Sequence, residues 1–266
     1  MPKTKEEFFV ETNFTGESRI EVSPSGKYSL LIKKYKTEEG AWQFSRGVIQ
    51  DKKTEKLIAD VKRNYSAFPF GWIENHPDGH DYLFCGEDYQ GQTIIQLDTG
   101  ERLDFLPESA QQGRGFCMTN YYPNSSKTIL AIEGCYWAAP WQVKFYDFTD
   151  PMKWDQKTPF KDPPTEYSDF FGWIDEETAH IGDTITMFLL PEELTAEDIE
   201  RIPNKKYSVK VHEIDGKLYI DDWAAFELLE LEHDNTITEE IYNDESREVE
   251  IPTKVVWNIR KNELIL

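Results

Sequence analysis

Glu87 and Glu133 are two carboxylates at matched positions of two internal repeats, the same distance beyond turns that begin at His76 and Tyr122. Carboxylates held at the right separation act as general acid and base, the chemistry of glycoside hydrolysis and related eliminations. Around them the chain gathers rings, further acids and one cation: Asp88 and Tyr89 beside Glu87, Tyr136 and Trp137 beside Glu133, and Tyr65, Arg114 and Asp169 in loops expected on the same face. Aromatic platforms beside carboxylates stack on a sugar ring, hold a cation or anchor a peptide. Three readings stay open. One is a non-catalytic module that binds a protein or a polar small molecule. Another is a hydrolase or lyase acting on a sugar-like or polar molecule through Glu87 and Glu133. In the third, these aromatics pack the fold and the acids are merely solvated.

Other chemistries find less support. His76 and His80, with Asp78 and Asp81, have the spacing of a metal site, but Pro77 and Gly79 impose a β-turn that does not by itself converge the imidazoles. Cys85, Cys117 and Cys135 contain no CxxC pair and read as buried structural thiols. No nucleophile elbow, Walker loop or dinucleotide fingerprint occurs. No cofactor and no metal centre is expected.

The elements that must position these residues repeat. Phe70-Gly71-Trp72-Ile73-Glu74 returns as Phe171-Gly172-Trp173-Ile174-Asp175, with a looser copy at Gly115-Phe116-Cys117-Met118. Three hairpin turns superpose: Ser23 to Lys27, His76 to His80, and Tyr122 to Ser126, each with an early Pro that presets φ. An alternating strand follows each turn. A further strand then ends in Asp51, Asp98 or Asp147, at a near-constant period of about 50 residues, and leads through a polar turn to a fourth. Four short strands per period predict an all-β, β-propeller-like fold of about five blades in a single domain over 1–266. Clear repeats cover 19–63, 68–106 and 114–155, divergent ones 170–231, and closing strands 237–266. Asp215-Gly216 between apolar runs marks another hairpin. A short helical insertion is predicted near 191–202, with Pro191 at its start and Pro203 at its stop. Residues 221–231 fit helix or strand. Substantial burial is expected for Trp72, Ile73, Leu83, Ile129, Leu130, Val143, Trp173 and Ile174.

These residues resemble β-propeller repeats of the broad WD-like kind, although the Gly-His and Trp-Asp dipeptides of true WD repeats are absent. The stretch from Gly71 to Thr93 also resembles uncharacterised bacterial proteins, over roughly residues 20–150. The resemblance implies a fold and no nameable activity.

Charge narrows the partners. Lys and Arg total 29 against 50 Asp and Glu, a formal net charge of −21. Nucleic acids and anionic membranes are excluded, because their binding requires cationic side chains on phosphate. Residues 221–250 carry 12 acids and one base, Arg247, which suits solubility or a basic protein partner. The odd cysteine count suits a reducing compartment, and the charged start lacks a signal peptide's apolar run, so a cytoplasmic location is expected. The sequence leaves the oligomeric state open.

Overall fold

The computed structural model describes residues 6–86, 88, 90–136, 141–155, 160–163, 167–190, 195, 197, 211–221 and 248–265. Among the described residues nearly all regular structure is antiparallel strand, with a short α-helix at Glu108–Gln111 and three short 3-10 turns. The chain separates into two compact units, Met1–Ile181 with Val255–Leu266, and Gly182–Lys254.

In the first unit, β1 (Phe14–Val22), β2 (Tyr28–Lys36), β3 (Gln43–Asp51) and β4 (Leu57–Arg63) form a four-stranded meander, paired in chain order. A second meander follows: β5 (Gly71–Ile73), β6 (Tyr82–Cys85), β7 (Gln92–Gln96) and β8 (Arg102–Phe105). A third sheet joins β9 (Cys117–Pro123), β10 (Ile129–Cys135) and β11 (Trp141–Asp147) in the order β11-β10-β9. The first two sheets are four-stranded meanders of the propeller-blade type, and the third has three such strands among the described residues. The turns predicted at Ser23 to Lys27 and His76 to His80 lie between the strands as expected, whereas β9 runs through Tyr122 and Pro123, so the third turn begins only at Asn124.

Burial explains the local sequence. In β2, Tyr28, Leu30 and Ile32 are buried while Ser29, Leu31 and Lys33 are only partly so, the alternation of a strand with one core face. β6 and β7 are buried along their whole length, because each has a neighbouring blade on both sides. Leu83, Cys85 and Ile95 join Leu30, Ile49 and Val61 of the first blade. Tyr82, Phe84 and Ile94 face the other way, onto Met118, Leu130, Ile132 and Tyr146 of the third. Ile129 and Ala131 then point onward to Ala179, Ile181, Trp257 and Ile259. The core is thus a series of apolar layers between sheets. Each fully buried Leu or Ile contributes about 1.5–3 kcal/mol to keeping neighbouring blades together.

After the third blade, β12 (Asp169–Trp173) pairs β13 (Thr178–Leu189). Ile174 departs from expectation: it is 49% exposed, whereas Ile73 is fully buried. β12 ends at Trp173, so Ile174 falls in the turn, where its N–H donates to the Thr178 carbonyl at 2.8 Å and its side chain leaves the sheet face. Trp72 and Trp173 are half-buried, and Trp173 Nε1 donates to the Tyr122 carbonyl at 3.0 Å. In the second unit, β14 (Val211–Ile214) and β15 (Lys217–Asp221) form the hairpin that Asp215-Gly216 predicts, with φ of 52° and 75° at those residues. β15 pairs the end of β13, and Met187, Phe188 and Ile220 are buried there. β16 (Glu248–Asn258) and β17 (Glu263–Ile265) make the last hairpin. The helix expected at 191–202, apart from Thr195 and Glu197, and the ambiguous stretch beyond Asp221 lie outside the described residues.

Candidate functional site

In the first two blades, residues of the loops between second and third strands meet residues of the links between blades, tied by hydrogen bonds. Asn64, just past β4, donates from Nδ2 to Asp88 Oδ2 at 2.9 Å, and its carbonyl accepts the Trp42 indole N–H at 2.5 Å. Asp88 Oδ1 accepts the Gln90 N–H at 3.0 Å, and Gln90 Oε1 accepts the Gly115 N–H at 3.2 Å. Under them lies Arg63, almost completely buried, whose Nη1 donates to the carbonyls of Gly86 at 2.8 Å and Asp88 at 3.1 Å. Desolvation pulls the Arg63 guanidinium below its usual pKa.

On this base stand two exposed rings. Trp42 and Tyr65 are 45% and 39% exposed, with ring centroids 5.7 Å apart and planes tilted by 52°. They border a hollow of about 250 Å³ completed by Gly40, Ala41, Gln43 and Ser66, none of them charged. Through Ser66 it adjoins a larger hollow of about 480 Å³, floored by Ile32, Ala67, Phe68 and Pro69 and reaching Thr119. That second rim is charged: Lys34 Nζ pairs Glu17 at 2.6 Å, and Arg19 pairs Glu21 at 3.4 Å.

The predicted residues fall into four groups. Tyr65 lines the smaller hollow, and Asp88 holds the strap beneath it. Arg114 is exposed directly before Gly115 of the strap, and Tyr136 is exposed just past β10; the Tyr136 ring lies 5.2 Å from Phe116 and has the Lys144 ammonium 5.4 Å above it. Glu133 is not a loop acid, since β10 continues to Cys135 and places it within the strand. Its Oε2 accepts from Asn120 Nδ2 at 2.7 Å and the Tyr122 hydroxyl at 2.9 Å, while Oε1 accepts the Phe170 N–H at 2.8 Å. Asp169, half-buried, opens β12 directly before Phe170. Burial, with the Glu133 carboxylate beside it, pushes the Tyr122 phenol well up. Glu87, Tyr89 and Trp137 lie outside the described residues.

The histidines of the predicted turn serve the fold. His76 Nε2 meets the Phe148 carbonyl at 2.9 Å and its Nδ1 lies 2.9 Å from Asp78, while His80 Nδ1 is 2.8 Å from Asp98. Among the described residues, no group of three or more His, Cys, Asp or Glu is arranged to hold a metal ion.

No protein-family model matches the chain. An uncharacterised protein of Acanthamoeba polyphaga mimivirus is 35% identical over 162 residues, which cover 60% of this chain and 62% of the viral protein. The chain therefore spans less than two thirds of that relative's length. Among solved structures, an uncharacterised protein of Listeria monocytogenes is similar at 13% identity and a TM-score of 0.34, over 91% of this chain and 55% of the other. Hydrazine synthase of Kuenenia stuttgartiensis gives 12% and 0.36, covering 98% and 97%. The β-propeller domain of Cps50 (Swd1) from Myceliophteria thermophila gives 10% and 0.29, covering 96% and 88%. At such scores the architecture stands on the strand pairing described above.

Trp42 is the residue that sequence reasoning missed. The repeat register assigns the segment after Lys36 to the same loop class as 86–92, so applying it to the first blade would have brought Trp42 onto the functional face.

Proposed function

We propose that the protein is a non-catalytic binding module that holds a neutral, ring-shaped polar ligand of the carbohydrate class against the exposed rings of Trp42 and Tyr65, in the hollow they border. One observation carries the reading: two tilted, exposed aromatic rings border a hollow whose other described lining offers an amide, a hydroxyl and small residues but no charge. A sugar ring presents an apolar face for stacking and hydroxyls for Gln43 and Ser66. The Trp42 ring is held in advance, since its indole N–H is anchored to Asn64 and Asn64 to Asp88, so less ordering cost remains for binding. The same argument weighs against hydrolysis, because the three hydrogen bonds on Glu133 occupy the carboxylate that such a mechanism would need. A cytoplasmic setting accords with three cysteines that form no disulfide.

Saturation-transfer NMR with a panel of neutral mono- and disaccharides tests this. Trp42→Ala is expected to weaken binding of a responding sugar by about 1–3 kcal/mol with little change in thermal stability, because it truncates an exposed anchor. A panel without any responder, or a responder indifferent to both Trp42→Ala and Tyr65→Ala, would overturn the proposal.

A further inference from the structure

Cys117 and Cys135, separated in sequence and read as unrelated structural thiols, are cross-strand partners: β9 begins at Cys117, β10 ends at Cys135, and the two are the last residues in register. Directly opposed residues of an antiparallel pair project to the same face, with Cα atoms about 4.5 or 5.5 Å apart according to the pairing type, and both values fall within the range a disulfide spans. The strands are drawn together at this end. A β-bulge precedes the pair, between Glu133 and Gly134, and a Cβ built on Gly134 would lie 2.2 Å from the Cys117 carbonyl oxygen. Cys117 is half-exposed and Cys135 is buried at the mouth of the sheet, directly before exposed Tyr136. Both are thiols in the structure.

We propose that Cys117 and Cys135 form a reversible oxidation site in which a peroxide closes a cross-strand disulfide at the end of the third blade. The Cys117 thiolate attacks one oxygen of hydrogen peroxide, the O–O bond breaks, and the departing hydroxide takes up the proton that the thiol released. The Cys135 sulfur then displaces the sulfenic hydroxyl, which leaves as a second water with the Cys135 proton. Two thiols are oxidised and one peroxide is reduced to two waters. A thiol reductant reverses the step by disulfide exchange.

The experiment treats the full chain under native conditions with a modest excess of hydrogen peroxide, blocks the remaining thiols with N-ethylmaleimide, and maps tryptic peptides without reduction. Cleavage after Lys127 separates the two cysteines, so the bond appears as a joined peptide pair. The expected result is a 117–135 link that is removed by dithiothreitol, lost in Cys117→Ser and in Cys135→Ser, and retained in Cys85→Ser, with intact mass lower by two hydrogens. Cys117 and Cys135 both recovered as maleimide adducts or as separate sulfinic acids in the folded wild-type protein would overturn the proposal, as would a link that runs to Cys85. These wild-type outcomes do not depend on any variant folding.

Discussion

Glu74 Oε2 accepts the backbone N–H of Ser25 at 2.8 Å, across 49 residues and from one blade to the turn of the blade before it. Glu74 Oε1 also accepts the Ser25 hydroxyl. Glu176 repeats the relationship one pair of blades later, taking the Ser126 N–H at 3.0 Å and the Ser125 hydroxyl. A carboxylate just past each Phe-Gly-Trp motif therefore latches the Pro-bearing turn of the preceding blade, and it satisfies a turn N–H that the strands leave unpaired.

The two latches differ in burial, and their mutation should differ accordingly. Glu74 is buried and Glu176 exposed. Glu74→Ala is expected to cost about 1–3 kcal/mol, the range for a hydrogen bond to a charged acceptor that leaves its donors stranded. Glu176→Ala should cost less than about 1 kcal/mol, because water replaces the lost acceptor. Urea unfolding of both variants checks the ordering, and equal losses would refute the account.

The turns were legible because Pro, Gly and Asn dictate backbone geometry locally. So were the apolar runs around Leu83 and Ile129, whose burial on both faces leaves no polar alternate positions. The latches were not. The repeat aligned Glu74 with Asp175, but the latching acid is Glu176, one residue on, while Asp175 accepts the Glu177 N–H of its own turn at 2.8 Å. Glu133 was misread for a related reason: alternation marks a strand but not its last residue, so a strand acid passed for a loop acid. Trp42 was within reach of the repeat register, whereas the Cys117–Cys135 pair depends on a strand register that no local pattern encodes.

The repeated Phe-Gly-Trp motif needs its glycines for two different reasons. A Cβ on Gly71 would lie 2.7 Å from the Tyr121 Cβ, which is bound to the main chain and cannot swing away. Gly172 meets nothing within 4 Å but has φ of +134°, where an L side chain is strained. Gly71→Ala should cost about 1–3 kcal/mol as overpacking between the second and third blades. Near-ultraviolet circular dichroism should show altered Tyr121 surroundings for Gly71→Ala and an unchanged Tyr121 signal for Gly172→Ala.

Acid should loosen the first two blades from each other. Burial alone would raise the Asp81 pKa, but hydrogen bonds from the Asn75 N–H at 2.8 Å, Lys27 Nζ at 2.9 Å and the Tyr28 hydroxyl at 3.0 Å outweigh it and hold the carboxyl below its usual value. Glu74 and Asp98 also act on Lys27 and Tyr28. A depressed carboxylate contributes stability above its unfolded pKa of about 3.9 and loses it as pH falls through the folded value. Asp81→Asn should therefore lower stability at pH 7 by about 1–3 kcal/mol and flatten its decline below about pH 4. Denaturant midpoints of wild type and variant across that window measure the effect, and parallel curves would remove Asp81 from the interface.

Glu133 decides between a structural carboxylate and a catalytic one. Its two oxygens accept three donors from β9 and β12, so Glu133→Gln turns an amide N–H₂ toward at least one donor that it cannot accept from. The expected cost is about 1–3 kcal/mol in folding. Affinity for a sugar held at Trp42 should stay unchanged, because no described contact of Glu133 reaches the Trp42–Tyr65 hollow. Loss of the Tyr122 partner should also bring the phenol down toward its ordinary titration, which ultraviolet difference spectra follow at alkaline pH. The opposite outcome, native stability with abolished ligand turnover, would move Glu133 from the frame of the third blade into an active site.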